Sequence, residues 1–417
     1  MKKVKVDIIT IGDEILYGQI LDTNSKWLSE KLDENGFKVE RSITIGDNKQ
    51  DILQTLQSSW ADSSLVIITG GLGPTPDDLT KACLAEFFNC QLVLNETALA
   101  DLTRFFKDKG KDVSELNSYQ AMLPECCEML PNTHGTAPGM WFEKDGKVLI
   151  SLPGVPFEMK NIMSSYAFAK LKNTFSTPEI FHKVIHTAGI AESDLADKIT
   201  SWEKDLPGHI KLAYLPSLGR VKLRLTGSGN DRMELEKVIE KEIEKLKGII
   251  DKYIFGYDHD TLEGVVGEIL RKSKMTIAVA ESCTGGYISH LLTSVPGSSA
   301  YFLGSVIAYH NSVKENALGV LSETLENYGA VSEEVVSQMP EGVRERLNTD
   351  IGVATSGIAG PDGGTPEKPV GTVWISVSIR GVIHTRKLQL WKERSLNIQA
   401  SSIISLEFLR RQLSHIN

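Results

Sequence analysis

Cysteine is scarce in this chain, with five in 417 residues and no C-x-x-C pair. An odd set without that spacing excludes a disulfide framework and a zinc knuckle, and the adjacent Cys126 and Cys127 read as packing residues. Positive charge is also in deficit. Lys and Arg number 45 against 54 Asp and Glu, and the net charge of -9 argues against nucleic acid as a general partner. Residues 1–7 lack the apolar core of a signal peptide, and no apolar run approaches membrane-spanning length. A cytoplasmic protein without a membrane partner is expected. Neither a Walker A loop nor a Rossmann G-x-G-x-x-G is present, so no standard nucleotide motif applies. What is there is an ordinary globular composition, 41% hydrophobic and 24% charged, long enough for two or three cores.

The stretch from Val279 to Gly286 stands out. A β-favouring run over 275–279 enters it and a helix-compatible run over 287–292 leaves it. Ser282 and Cys283 therefore sit where a strand ends and a helix begins. Gly285 and Gly286 free the backbone for close approach, and the first helical amides lack partners. This arrangement suits a nucleophile beside an oxyanion pocket built from the amides of Cys283, Thr284, Gly285 and Gly286. It equally suits a tight turn in which Ser282 caps the helix. Two more apolar runs, 301–309 and 350–355, end in polar loops. One holds Tyr309, His310, Asn311 and Lys314; the other runs through Gly357 and Gly360 to Gly364. All three loops follow strands and are expected at one sheet edge.

The first third alternates strand and helix over 4–11, 25–35, 37–45, 50–60 and 65–69, with Asn24 as a candidate N-cap and Gly36 closing the first helix. Such alternation predicts a mostly parallel sheet covered on both faces, with ligands beyond the carboxyl ends of strands. Two loops lie there. One is Gly12-Asp13-Glu14. The other spans 69–78, through Gly70, Gly71, Gly73 and Thr75 to Asp77 and Asp78, and runs into a helix over 80–88. Three glycines in four residues let amides converge on an anion. Asp77 and Asp78 are candidate ligands for a divalent metal, Mg²⁺ or similar, or are first-turn residues favoured by the helix dipole. Asp145-Gly146 marks a hairpin.

The middle reads as a small α+β unit: strand 182–187, helix 193–202, strands 210–214 and 220–226, and an amphipathic helix 233–246. Gly248 is expected to end that helix, and 249–255 to form a further strand. No Gly-x-x-Gly loop lies between the helices.

Gly12 to Leu16, Gly18-Gln19-Ile20, Asn24 and the 69–78 loop, with Gly135 to Gly139 and Leu152 to Pro156, resemble the N-terminal domain of the CinA family. That domain is itself similar to molybdopterin-binding domains. Ala280 to Gly286, Pro296 to Ala300, Gly329 to Ser332, Ser356 to Gly364 and Lys368 to Trp374 resemble the nicotinamide-nucleotide amidase domain that closes CinA proteins. The resemblance implies an α/β chain of three parts. These are a molybdopterin-binding-like α/β domain over 1–172, a small α+β, KH-type-like domain over 173–257, and an α/β amidase domain over 258–417. Without its Gly-x-x-Gly loop the middle part is expected to be a spacer or dimer element that does not bind RNA.

For the amidase, the resemblance implies deamidation of nicotinamide mononucleotide to nicotinate mononucleotide and ammonia, without a cofactor. Ser282 takes the nucleophile's place and Lys314 the general base's, with Tyr309 and Asn311 in the same pattern. Cys283 is the rival nucleophile. Substrate phosphate falls to the loop holding Gly357 and Gly360, or to Arg394. A second arginine common in the family is missing from Lys392-Glu393-Arg394-Ser395. For the head, the resemblance implies metal-dependent cleavage of ADP-ribose to AMP and ribose 5-phosphate, with pterin-phosphate binding as the alternative. A homodimer acting on both nucleotides is expected. The rival readings are an active amidase with a merely ligand-binding head, and a non-catalytic adaptor.

Overall fold

A computed structural model describes residues 4–75 and 77–414. Pro76 of the glycine-rich loop and the first three residues therefore lie outside the description. The chain divides into two compact units, Met1–Phe181 with Ser228–Leu235, and His182–Gly227 with Glu236–Asn417.

In the first unit, six strands lie in the order Lys38–Ile45, Lys5–Ile11, Leu65–Thr69, Lys147–Leu152, Gly139–Lys144, Glu128–Leu130. The first four are parallel and the last two antiparallel. Alternation along each strand feeds two cores. Val6, Ile8, Leu65, Ile67, Val148 and Ile150 pack on one face with Leu28, Leu32 and Met159. Ile9, Ile11, Val66, Ile68 and Leu149 pack on the other with Ile52, Leu56 and Leu84. The hairpin forms at Asp145-Gly146, both at positive φ.

Three expectations need correction. The helix Thr23–Glu34 is capped by Asp22, whose carboxylate accepts the Ser25 amide at 2.8 Å. Asn24 lies inside the first turn and is nearly buried. Cys126 is not simply packed, because it forms a disulfide with Cys90, Cα atoms 6.2 Å apart. The short strands Leu92–Leu94 and Met122–Pro124 pair antiparallel with Leu92 opposite Pro124, and continuing that register sets Cys90 opposite Cys126. Finally, Gly248 does not end its helix, which runs over Arg232–Ile250. Ile250 is fully buried, and burying it outweighs the roughly 1 kcal/mol that glycine costs a helix. The strand after it is correspondingly short, Ile254–Tyr257.

The middle segment follows a β-α-β-β-α-β order, with strands arranged Ile210–Ser217, Arg220–Gly229, Glu179–Ala188, Ile254–Tyr257. Its Ala188 and Phe255 join the core of the C-terminal sheet. That sheet runs Phe302–Ile307, Ile277–Glu281, Ile351–Gly357, Thr372–Ile379, Val382–Gln389, the first three parallel. Val279, Val353 and Val377 face the helices Leu262–Ser273 and Arg394–Ser414. Ala278, Ala280 and Ala354 face the helix Glu333–Leu347 on the other side. No helix among the described residues is long and apolar enough to cross a membrane.

Candidate functional site

Three parallel strands deliver three loops to one edge of the C-terminal sheet. Ser282 follows Glu281 at the end of the central strand, Tyr309 follows the edge strand, and Gly357 ends the third. Ser282, Cys283, Tyr309, Asn311, Lys314, Ser356, Gly357 and Arg394 line one small cavity of about 170 Å³. Lys314 lies in the first helical turn after the edge strand and is 1% exposed. Its Nζ stands 3.2 Å from Ser282 Oγ, 2.8 Å from the Ala308 carbonyl and 3.4 Å from the Tyr309 carbonyl. Burial pulls the Lys314 amine below its ordinary pKa of 10.5. A neutral amine has two N–H bonds for those two carbonyls, which leaves its lone pair facing the Ser282 hydroxyl.

Cys283 stands beside this pair but is buried, and burial pushes its thiol up to about 12. A thiol with that pKa is not a thiolate at neutral pH, so Ser282 is the better-equipped nucleophile.

The expected oxyanion amides separate. Gly285 donates to the Ser282 carbonyl at 3.2 Å, and Gly286 donates to Glu281 Oε2 at 3.0 Å. Neither is free for substrate, and neither lines the cavity. Thr284 is buried, with its hydroxyl bonded to that of Thr355 at 2.8 Å. Of the four residues only Cys283 lines the cavity, so its amide, next to Ser282, is the remaining candidate. Gly360 does not line the cavity, and its carbonyl accepts from Arg394 Nη1 at 2.9 Å. Arg394 Nη2 donates to the Tyr309 hydroxyl at 2.9 Å. Tyr309, 61% exposed, therefore sits on the rim with its hydroxyl toward Arg394, and it is its carbonyl that touches Lys314.

In the first unit, the two expected strand-end loops do meet, at a cleft of about 480 Å³. Its lining includes Gly12, Glu14, Asn24, Gly70, Gly71, Gly73, Asp77 and Asp78; Thr75 is not part of it. Gly70 and Gly71 have positive φ, and a Cβ would collide with the Ile11 carbonyl at the first and the Thr80 hydroxyl at the second. The anion nest, however, is partly filled from within. Asp78 accepts the amides of Gly73 at 2.8 Å and Thr75 at 2.9 Å, and the Thr75 hydroxyl as well. Gly70 donates to the Leu152 carbonyl. Asp78 is thus the clamp that shapes the loop, not a free metal ligand as expected.

Asp47 joins the acidic side of the cleft. It accepts the Asp13 amide at 3.2 Å, and burial, with the charges of Asp13, Glu14 and Asp77, lifts its carboxyl above the ordinary value. Among the described residues no three of His, Cys, Asp and Glu stand close enough to cage an ion. Asp47 and Asp77 are the hard oxygen donors that would hold Mg²⁺ here, since that ion keeps its waters and needs only one or two carboxylates. Asn24 is better placed than a cap would be. Its Nδ2 donates to Thr69 Oγ1 at 3.1 Å and the Gly154 carbonyl at 2.7 Å, which leaves Oδ1 buried without a partner among the described residues.

Comparison with known proteins decides the family. Family models match in three successive segments: the probable molybdopterin binding domain over 7–173, the damage-inducible protein CinA KH domain over 182–256, and the CinA C-terminal domain over 259–413. A CinA-like protein of Cytophaga hutchinsonii is 52% identical over 413 residues, 99% of each chain. The chain belongs to the CinA family. A CinA-like protein of Flavobacterium psychrophilum is 43% identical over 412 residues, covering 98% of this chain and 99% of its own. Among solved structures, the competence/damage inducible protein CihA from Agrobacterium tumefaciens is 35% identical, covering 37% of this chain and 93% of its own, with a TM-score of 0.36.

Within this CinA chain, several residues escaped the sequence reading. Glu281 is fully buried and accepts the amides of Gly286, Ile288 and Ser289 and the Ser289 hydroxyl, so it holds the helix behind Ser282. The signal was its place directly before Ser282, at a helix N-terminus. Asn397 binds the Ala359 and Trp391 carbonyls and the Trp391 amide, tying two loops of the cavity together. Nothing in its neighbourhood in the sequence marks it. Asp47 follows a strand by two residues and was readable on the same rule as Asp13.

Proposed function

We propose that the C-terminal domain deamidates nicotinamide mononucleotide and that the head hydrolyses ADP-ribose to AMP and ribose 5-phosphate. The observation that carries the first activity is the buried 3.2 Å approach of Lys314 Nζ to Ser282 Oγ. Neutral Lys314 takes the hydroxyl proton as Ser282 attacks the carboxamide carbon. The developing oxyanion is met by the Cys283 amide. Lys314 then returns the proton to departing ammonia, and water releases the acid from the acyl-serine. A cavity of about 170 Å³ admits the ring and carboxamide and leaves the ribose phosphate at the rim, where Arg394 offers its guanidinium.

Because Lys314 must be neutral, kcat/KM for deamidation is expected to rise with pH through its lowered pKa. An acid-side limb should therefore appear below pH 10.5. A pH–rate profile measures it directly.

For the head, a metal would neutralise phosphate charge between the Asp47 side of the cleft and the substrate. Asp78→Ala would release the Gly73 and Thr75 amides and slacken the loop. AMP release is expected to fall about a hundredfold with deamidation unchanged. The partly filled nest also favours a second reading, in which the head binds a nucleotide or pterin without cleaving it. Assaying ammonia from nicotinamide mononucleotide beside AMP from ADP-ribose separates these readings, and absence of both products would favour an adaptor. For the middle segment we propose a spacer without RNA affinity, checked by titrating the full chain with single-stranded RNA at several salt concentrations.

A further inference from the structure

The carboxylates lining the head cleft are not equivalent. Asp78 is spent on its own loop. Asp47 lies among the like charges of Asp13, Glu14 and Asp77, the side suited to a cation. Glu158 stands apart, in the first turn of the helix beginning at Pro156, and lines the same cleft.

Its position is fixed with unusual thoroughness. Asn132 Nδ2 donates to Glu158 Oε2 at 2.6 Å. Asn132 is itself 9% exposed and oriented by two further bonds, from Nδ2 to the Ala137 carbonyl at 2.8 Å and from the His134 amide to Oδ1 at 3.1 Å. Gly135 packs directly on the carboxylate, where any Cβ would collide with it. Glu158 Oε1 keeps no bond among the described residues. A carboxylate with one oxygen anchored and the other free in a cleft is built to accept a proton.

We propose that Glu158 is the general base that takes a proton from the attacking water in the head. This assignment rests on reading the head as a diphosphate hydrolase. Water oxygen bonds to one phosphorus while Glu158 Oε1 takes its proton. The bridging P–O bond breaks, and its electron pair leaves on the phosphate of the other product. Glu158 then returns the proton to solvent. Nothing is oxidised or reduced.

Burial raises the Glu158 carboxyl above its usual range, offset in part by the Asn132 bond and by the charge of Lys109. A base with a raised pKa loses its active form early as pH falls, so an acid limb in kcat belongs to it.

The test uses the full chain with Mg²⁺ and ADP-ribose. Glu158→Gln should lower kcat for AMP release about a hundredfold or more, abolish the acid limb, and leave KM and the calorimetric affinity for ADP-ribose little changed. Deamidation of nicotinamide mononucleotide should stay at its original rate, and the retained affinity for ADP-ribose reports that the head, a separate compact unit, is folded. Asn132→Ala should lower kcat about tenfold and move the acid limb to higher pH, because the charged form loses its bond. A merely structural Glu158 would tolerate Gln and keep both rate and limb, and that result would overturn the assignment. If Glu158→Gln fails to fold, an unmoved limb in Asn132→Ala overturns it instead. Absence of AMP release from the unmodified chain would remove the hydrolase reading, and this assignment with it.

Discussion

Ser282→Ala is expected to reduce ammonia release from nicotinamide mononucleotide by at least about a thousandfold, and Lys314→Arg to be nearly as inactive. The two substitutions fail for different reasons. Alanine removes the nucleophile. Arginine keeps a cation but cannot give up its proton, since a guanidinium has a pKa above about 12. It must also fit a bulkier planar head where Nζ now meets the Ala308 and Tyr309 carbonyls and Ser282 Oγ. A lysine acting only through its charge would tolerate arginine in part. Cys283→Ala should retain most activity, because the thiol is buried and held protonated. Steady-state ammonia assays on the three variants check the whole set.

Glu281→Ala is expected to carry the largest stability cost, about 3 kcal/mol or more. Glu281 is fully buried, and its two oxygens satisfy three backbone amides and a serine hydroxyl. Alanine leaves those donors facing a cavity, and the N-terminus of Tyr287–Thr293 loses its compensating negative charge. Glu281→Gln, which keeps one acceptor oxygen but turns an N–H₂ toward the same donors, should lie between. The measurement is the denaturant midpoint of the transition carrying this domain. A midpoint for Glu281→Ala equal to that of the unmodified protein would mean that water replaces the carboxylate at little cost.

The pairing of Ser282 with Lys314 was implied by the family resemblance, and only their convergence was legible from strand ends. Ser282 and Lys314 are 32 residues apart, yet each follows a strand of one parallel sheet, and parallel neighbours bring their carboxyl ends together. The helix Thr80–Phe88 and the hairpin at Asp145-Gly146 were legible too, one from its apolar run and the other from its turn residues. What stayed hidden depended on where a side chain turned once the fold was made. Asp78 opens onto the cleft in sequence terms, but its carboxylate bends back onto Gly73 and Thr75. Asp22 and Asn24 are both good caps, and only the approach of Thr69 and Gly154 draws Asn24 into the cleft. Gly285 and Gly286 looked like oxyanion donors until Ser282 and Glu281 took their amides. The Cys90–Cys126 pairing needed the register of two strands of three residues each, too short to read from alternation.

The central claim is that Ser282, activated by Lys314, forms a bond to the substrate carbonyl. Rapid acid quenching of the enzyme during turnover of nicotinamide mononucleotide, followed by peptide mass spectrometry with fragmentation between residues 282 and 283, tests it most directly. The expected result is a nicotinate-mononucleotide ester on Ser282. It should persist in Cys283→Ala and be absent from Lys314→Arg. An adduct on Cys283 would contradict the account, as would ammonia release at full rate from Ser282→Ala.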